Sequence, residues 1–265
     1  MATIKKKKYS DNSNFYTENF ANFWDSTQSW GPDANALNLC RYYEQIVSNG
    51  NKTLLDIGCG TGNFALYFLQ KSYTVTGLDL SEEMLRHARK KTESFIKNGK
   101  AKFIQGDARY FKFNTKFALA TCFGWCLNHL DGEEDLENLF RSTFNAVEEG
   151  GYFFFNFLTE KGFANRNYVR TSDSEKQSST ECWLYHPETE KVSHKFSGFI
   201  QSSLGKYYVR FQQTLTLNFH KSITIKRLLS KTGWKEIYFS LPYKPSNPIP
   251  STDEVTPCAW CVAKK

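Results

Sequence analysis

Leu54-Leu55-Asp56-Ile57-Gly58-Cys59-Gly60-Thr61-Gly62 sets the fold: an apolar run ends in an acid and then in three glycines at alternate positions. That order describes a strand turning sharply into a helix around a ligand. Glycine accepts positive φ and carries no Cβ, so the amides opening the next helix can come close to a nucleoside-bearing group. The spacing narrows the ligand. A dinucleotide fingerprint, G-x-G-x-x-G, begun at Gly58 or Gly60 needs glycine at 63 or 65, where the chain has Asn63 and Ala65. A phosphate-gripping loop needs Gly-Lys-Ser/Thr, which does not follow.

Working outward, Tyr73-Thr74-Val75-Thr76-Gly77-Leu78-Asp79 reads as a second strand whose terminal acid lies 23 residues after Asp56. This is close to the roughly 20-residue offset at which a strand-end carboxylate meets ribose hydroxyls in nucleotide-binding α/β units. Ser81 is a good helix N-cap, followed by Glu82 and Glu83 in the first turn. The pattern predicts strands at 53–57, 74–79, 101–105, 117–123 and 151–157, with helices at 62–71, 82–97 and 133–147. The last of these helices opens on a capping box at Asp131-Gly132-Glu133-Glu134 and stops at Gly150-Gly151. Such alternation implies a mostly parallel sheet wound on both faces.

Asp56-x-Gly58-x-Gly60-x-Gly62 resembles motif I of the class I, Rossmann-like S-adenosylmethionine-dependent methyltransferases, and the likeness extends through most of the chain. It implies a seven-stranded, doubly wound sheet with an antiparallel last strand, and S-adenosyl-L-methionine as cofactor. By the same resemblance Asp56, Gly58, Gly60 and Phe123 border the cofactor, Asp79 holds its ribose, Leu80 and Met84 pack on the adenine face, and Asp107 with the Ala108 amide reads the adenine edge. Phe20-Ala21-Asn22-Phe23-Trp24-Asp25 is similar to the N-terminal signature of small-molecule methyltransferases, with Trp24 where tyrosine is usual. Residues 1–50 are then a helical lid that brings Tyr16 and Trp24 onto the cofactor; core packing is the competing role for these aromatics.

Cys126-Leu127-Asn128-His129-Leu130 resembles the Ser-Leu-Asn-His/Tyr-Leu stretch of the sugar N,N-dimethyltransferase group, with Cys126 in place of serine. Trp125, Asn128 and His129 are therefore expected to face the acceptor, and His129 to take its proton. After residue 157 the period changes from 3.6 to 2. Strands at 182–185, 195–200 and 207–219 read as an antiparallel β insertion, 160–220, covering the substrate site, while 51–159 and 221–265 form the core. The core closes with a helix near 224–232 and strands at 235–239 and 258–263, and Pro242, Pro245, Pro248 and Pro250 describe an extended loop before the last strand.

The net charge of +7 owes four charges to Lys5-Lys6-Lys7-Lys8, a run that reads as a solvated tail and not as a nucleic-acid stripe. Where exocyclic-amine nucleic-acid methyltransferases carry [ND]-P-P-[YF], the chain has Cys122-Phe123-Gly124-Trp125, which argues against nucleic acid as the substrate. The N-terminus lacks an apolar core of a secretory signal, and the longest apolar stretch, 152–158, is too short for a bilayer. With 7 cysteines, an odd number, a cytoplasmic, reducing location is expected. Cys258 and Cys261 would point to opposite faces of a strand, which speaks against a metal site.

The function expected is in-line transfer of a methyl group to an N or O nucleophile of a small molecule, nitrogen favoured. Aromatics at Trp125, Trp183, Tyr185, Tyr207, Tyr208 and Phe211 suit a flat, apolar or cationic acceptor. Methylation of RNA or protein, and a non-catalytic S-adenosylmethionine-binding module, are the alternatives.

Overall fold

The computed structural model describes residues 16–27, 33–47, 51–202, 205–250 and 252–265. The lysine run at 5–8 and residues 1–15 of the expected lid lie outside them. Five strands, β1 (Thr53–Ile57), β2 (Thr74–Asp79), β3 (Ala101–Gln105), β4 (Phe117–Cys122) and β5 (Val147–Leu158), open the chain's main sheet. Four more, β6 (Asn167–Asp173), β7 (Gln177–His186), β8 (Lys191–Gln201) and β9 (Tyr208–Asn218), form a separate antiparallel sheet in sequence order. The chain then returns to the main sheet with β10 (Lys235–Ser240), β11 (Pro248–Ile249) and β12 (Cys258–Lys264).

The main sheet has the order β11-β10-β12-β5-β4-β1-β2-β3. Strands β1 to β5 pair in parallel, and β12 runs antiparallel between β5 and β10. Alternate residues along each strand go to opposite cores, which is why the strands read as unbroken apolar runs. Leu54, Phe154, Trp260 and Val262 pack with the helices α2 (Ala34–Ile46), α3 (Asn63–Gln70) and α4 (Glu82–Lys91). Leu55, Ile57, Phe153, Phe155, Phe157 and Cys261 pack on the other face with α6 (Gly132–Ala146) and α8 (Ser222–Lys231).

The insertion rests on the core through Leu158, Phe163, Trp183, Val192 and Leu217. Helix α1 (Glu18–Thr27) lies against it: Phe20, Ala21 and Phe23 form a third core with Met84, Phe196, Phe211 and Leu215.

Several local expectations change. Helix 82–97 is two helices, α4 and α5 (Glu93–Lys97), with the break at Thr92, whose hydroxyl bonds back to the Ala88 carbonyl at 2.8 Å. Gly150 does not end a helix: it serves a bulge in β5, where the register to β4 jumps between Phe117 and Leu119. A short helix, α7 (Glu160–Ala164), leads into the insertion, whose four strands include β6 ahead of those that the alternation picks out. Strand β6 is exposed throughout, leaving no apolar alternation to read. The proline segment is not one extended loop, because its turns place Pro248–Ile249 on β10 as a two-residue eighth strand beside the seven expected. Asp131 is the N-cap of α6, yet its side chain makes no capping bond; its Oδ1 accepts from Asn218 Nδ2 at 3.0 Å instead.

Candidate active site

The ends of β1, β2 and β4 converge on an open-mouthed cavity with about 1110 Å³ of empty space, its mouth included. The glycine turn forms its floor, α1 and Asp33 one flank, and β8 and β9 of the insertion the roof. Such convergence at strand ends is where open α/β sheets hold ligands.

Gly60 has φ +52, and a Cβ built there would meet nothing within 4 Å, so the turn leaves space for a ligand against its backbone. Gly62, with φ +80, serves the opposite need: a Cβ there would stand 2.8 Å from the Ala88 Cβ, where α3 meets α4. Asp79 accepts from the Gly60 amide at 2.8 Å and from the Ser81 amide at 2.9 Å, fixing the turn to the start of α4. Burial raises its carboxyl above the ordinary value.

Asp56 is 2 % exposed, and its Oδ1 accepts from the Thr121 hydroxyl at 2.9 Å. Its other oxygen, Oδ2, is buried with no hydrogen-bond partner, and burial pushes the carboxyl up to about 7. A buried carboxylate left one donor short beside a cavity is a receptor for a cationic or N–H group.

Along the rest of the wall stand Tyr16, Trp24, Met84 and Phe123, the last stacked on Phe64 with ring centroids 5.2 Å apart. Burial, and then the Asp79 charge, drives the Tyr16 hydroxyl well above its ordinary pKa. The aromatics of α1 and the residues just before it are thus divided. Tyr16 and Trp24 line the cavity, while Phe20 and Phe23 are core.

Beyond the turn lie Gly124, Trp125, His129, His194, Leu215 and Leu217. Trp125 adopts the left-handed region at φ 60, and its amide donates to Asn156 Oδ1 at 3.1 Å. A non-glycine residue held this way beside a cavity stores strain that the surrounding bonds must maintain. The His129 imidazole is pushed down to about 4, by burial first and then by the charge of His194, so it is neutral near pH 7.

Four expected site residues lie away from the cavity lining. Asn128 is fully buried and its amide is used by the fold: Oδ1 accepts from the Leu158 amide at 2.8 Å, and Nδ2 donates to the Asn218 carbonyl at 3.0 Å. Asp107 faces Arg109, whose Nε and Nη2 donate to its two oxygens at 3.0 and 2.8 Å. Ala108 packs at the edge of the core, and the Leu80 carbonyl accepts from Gln105 Nε2 at 3.1 Å. Of the aromatics expected at the acceptor, Tyr207 and Tyr208 are more than half exposed, and Phe211 is buried beneath α1. His194 was not expected. Its signal, alternation of His194 and Phe196 with Val192, was present, but the face it occupies depends on hairpin register.

These features fit the cofactor that motif I implies. Asp79 would hold its ribose, Asp56 Oδ2 its ammonium group, and the open face of Gly60 its close approach. All seven cysteines are free thiols, Cys258 half-buried and Cys261 in the core. No helix among the described residues is long and apolar enough to cross a membrane.

Residues 54–151 match the model of a methyltransferase domain. A putative methyltransferase of Geobacillus sp. (strain WCH70) is 28% identical over 195 residues, 72% of this chain and 77% of that protein. The dTDP-3-amino-3,4,6-trideoxy-alpha-D-glucopyranose N,N-dimethyltransferase of Streptomyces venezuelae is 34% identical over 99 residues, 37% of this chain and 39% of its own length. Among solved structures, an S-adenosylmethionine-dependent methyltransferase from Clostridium acetobutylicum ATCC 824 shares the fold with a TM-score of 0.77 at 23% identity, over 92% of this chain and 97% of that one. Domain match, relatives, fold and a turn shaped for the cofactor agree: residues 54–151 form a methyltransferase domain, and the chain is similar to the class I, Rossmann-like S-adenosylmethionine-dependent methyltransferases.

Proposed function

We propose that the protein methylates a nitrogen of a small-molecule acceptor held under the inserted sheet. The observation that carries this reading is the composition of the cavity beyond the glycine turn: Trp125 and two imidazoles, His129 and His194, roofed by Leu215 and Leu217. Aromatic faces suit an amine or a flat, partly apolar body, and neutral imidazoles can receive a proton from it. The Streptomyces venezuelae relative is named for amino-sugar N,N-dimethyltransferase activity, in line with a nitrogen acceptor, while other relatives are named ubiquinone biosynthesis O-methyltransferases.

When bound, S-adenosylmethionine supplies a sulfonium methyl group to an incoming lone pair. The chain's part is alignment and exclusion of water, which together account for on the order of 7–11 kcal/mol in favourable cases. Asp79 and Asp56 fix one end, Phe123 and Met84 the apolar wall, and α1 with β8 and β9 closes the space above. His129, neutral and at the cavity wall, orients the acceptor by hydrogen bonding.

The test is transfer of label from S-adenosylmethionine to three sets of acceptors: primary amines including amino sugars, phenols, and RNA or protein. Label on amines is expected. Label on phenols alone moves the reaction to oxygen, and label on RNA or protein alone overturns the small-molecule reading. Cofactor binding without transfer to any set points to a binding module.

A further inference from the structure

The roof of the cavity holds a charged chain that the three strands β6, β7 and β8 bring into one line. Arg170 pairs opposite Glu181, and Trp183 opposite His194. Arg170 Nε donates to Glu181 Oε2 at 2.8 Å, Trp183 Nε1 donates to Oε1 at 2.9 Å, and His194 Nε2 lies 2.7 Å from the same Oε1. Burial works to raise the Glu181 carboxyl, but the bonds from His194, Trp183 and Arg170 outweigh it and hold it at about 2. An ionised carboxylate only accepts, so Nε2 of His194 carries the hydrogen and Nδ1 keeps its lone pair. Among the described residues no hydrogen bond reaches Nδ1.

We propose that His194, oriented by Glu181, takes the proton shed by the acceptor nitrogen, with Glu181 as the counter-ion of the imidazolium. This rests on the N-methylation reading above. The acceptor nitrogen forms its bond to the methyl carbon as the carbon–sulfur bond breaks, both electrons staying on sulfur; the proton then passes from nitrogen to His194 Nδ1. The base and its orienting carboxylate follow the general logic of an imidazole aligned by an acid.

Four charged or titratable groups face this ring. Glu181 favours its protonation, while Arg170, Arg166 and His129 oppose it. Arg166 lies 4.3 Å from the Trp183 ring centre and 5.2 Å from that of Trp125. Burial lowers the His194 pKa and Glu181 partly restores it. A proton on either histidine disfavours one on the other, and His194 is the ring with the carboxylate beside it.

Two measurements test the assignment. The first is histidine nitrogen NMR of the protein with S-adenosylhomocysteine, which needs no acceptor. The Nε2–H tautomer is expected at His194, with a titration midpoint at least one pH unit lower in Glu181→Gln; an Nδ1–H tautomer, or an unmoved midpoint, overturns the proposal. The second compares rates on the amine panel. His194→Gln keeps a donor for Glu181 and deletes the base, so S-adenosylhomocysteine affinity should stay within threefold of wild type. Turnover should fall on the order of 100-fold near pH 7 and climb with pH where the wild type has levelled. Wild-type turnover in His194→Gln overturns the proton role alone. A wild type that binds S-adenosylhomocysteine and methylates no amine overturns the N-methylation reading and the proton role with it.

Discussion

Both oxygens of Asp79 hold backbone amides, whereas Asp56 keeps one oxygen buried with no hydrogen bond. The two carboxylates of one cavity should therefore answer differently to pH and mutation. Asp56 has its folded pKa raised from 3.8 to about 7, so the ligand-free protein binds more protons folded than unfolded over that interval. Its stability should fall as pH rises from about 4 towards 7. A ligand ammonium group demands the ionised form. Affinity for S-adenosylhomocysteine should accordingly rise with pH up to about 7, by at most about tenfold per unit, with proton release on binding near pH 6.5. Titration calorimetry in buffers of different ionisation enthalpy measures both. Asp56→Asn should flatten the pH dependence, and Asp79→Ala should weaken binding by about 2–3 kcal/mol near pH 7. A pH-independent wild type would remove the ammonium role from Asp56.

At the scale of elements, α1 is attached at two places of different character. Phe20 and Phe23 bury themselves against Phe196 and Phe211, and Asp25 receives Lys91 Nζ at 2.6 Å and His87 Nδ1 at 3.4 Å from α4. Burial tends to raise the Asp25 carboxyl, but these bonds carry it well below its ordinary value. Asp25 is partly exposed, so Asp25→Asn should cost less than about 1 kcal/mol of global stability. It should release S-adenosylhomocysteine several-fold faster in stopped-flow experiments, because the ion pairs clamp α1 over the cavity. An unchanged release rate would mean that the apolar cluster alone governs the lid.

Elements with one strong period were legible in the sequence: β1, β2 and the glycine turn each follow from local chemistry. The division between cavity-facing Tyr16 and Trp24 and core-facing Phe20 and Phe23 was not, because the aromatics of this segment look alike in sequence and only the packing of α1 on β8 and β9 tells which of them are covered. His194 was hidden for another reason. Its partners Glu181 and Trp183 lie on the preceding strand, and which residues oppose each other depends on the turn after His186, where Glu190 takes φ 52. Asn128 sat in a recognisable segment but faces inward, since only tertiary structure reveals that Leu158 and Asn218 meet there.

At the scale of the whole molecule, Asn128 is the joint between the main sheet and the insertion. It binds Leu158 on one side and Asn218 on the other, and Asn218 Nδ2 returns a bond to the Leu130 carbonyl at 3.1 Å. Asn128→Ala strands these buried backbone groups and should cost about 3 kcal/mol. Urea denaturation should show a lower midpoint, and a loss below about 1 kcal/mol would make the joint incidental.

The order of the main sheet has a further consequence for synthesis. Among the described residues strand β12, Cys258–Lys264, is the only bridge between β5 and β10, so that edge of β5 stays unpaired until residue 264 has been made. That edge carries Phe153, Phe154, Phe155 and Phe157, a phenylalanine-rich strand that any similar nascent chain could pair with. Until β12 is translated, the aggregation risk of the growing polypeptide is concentrated on that phenylalanine-rich edge.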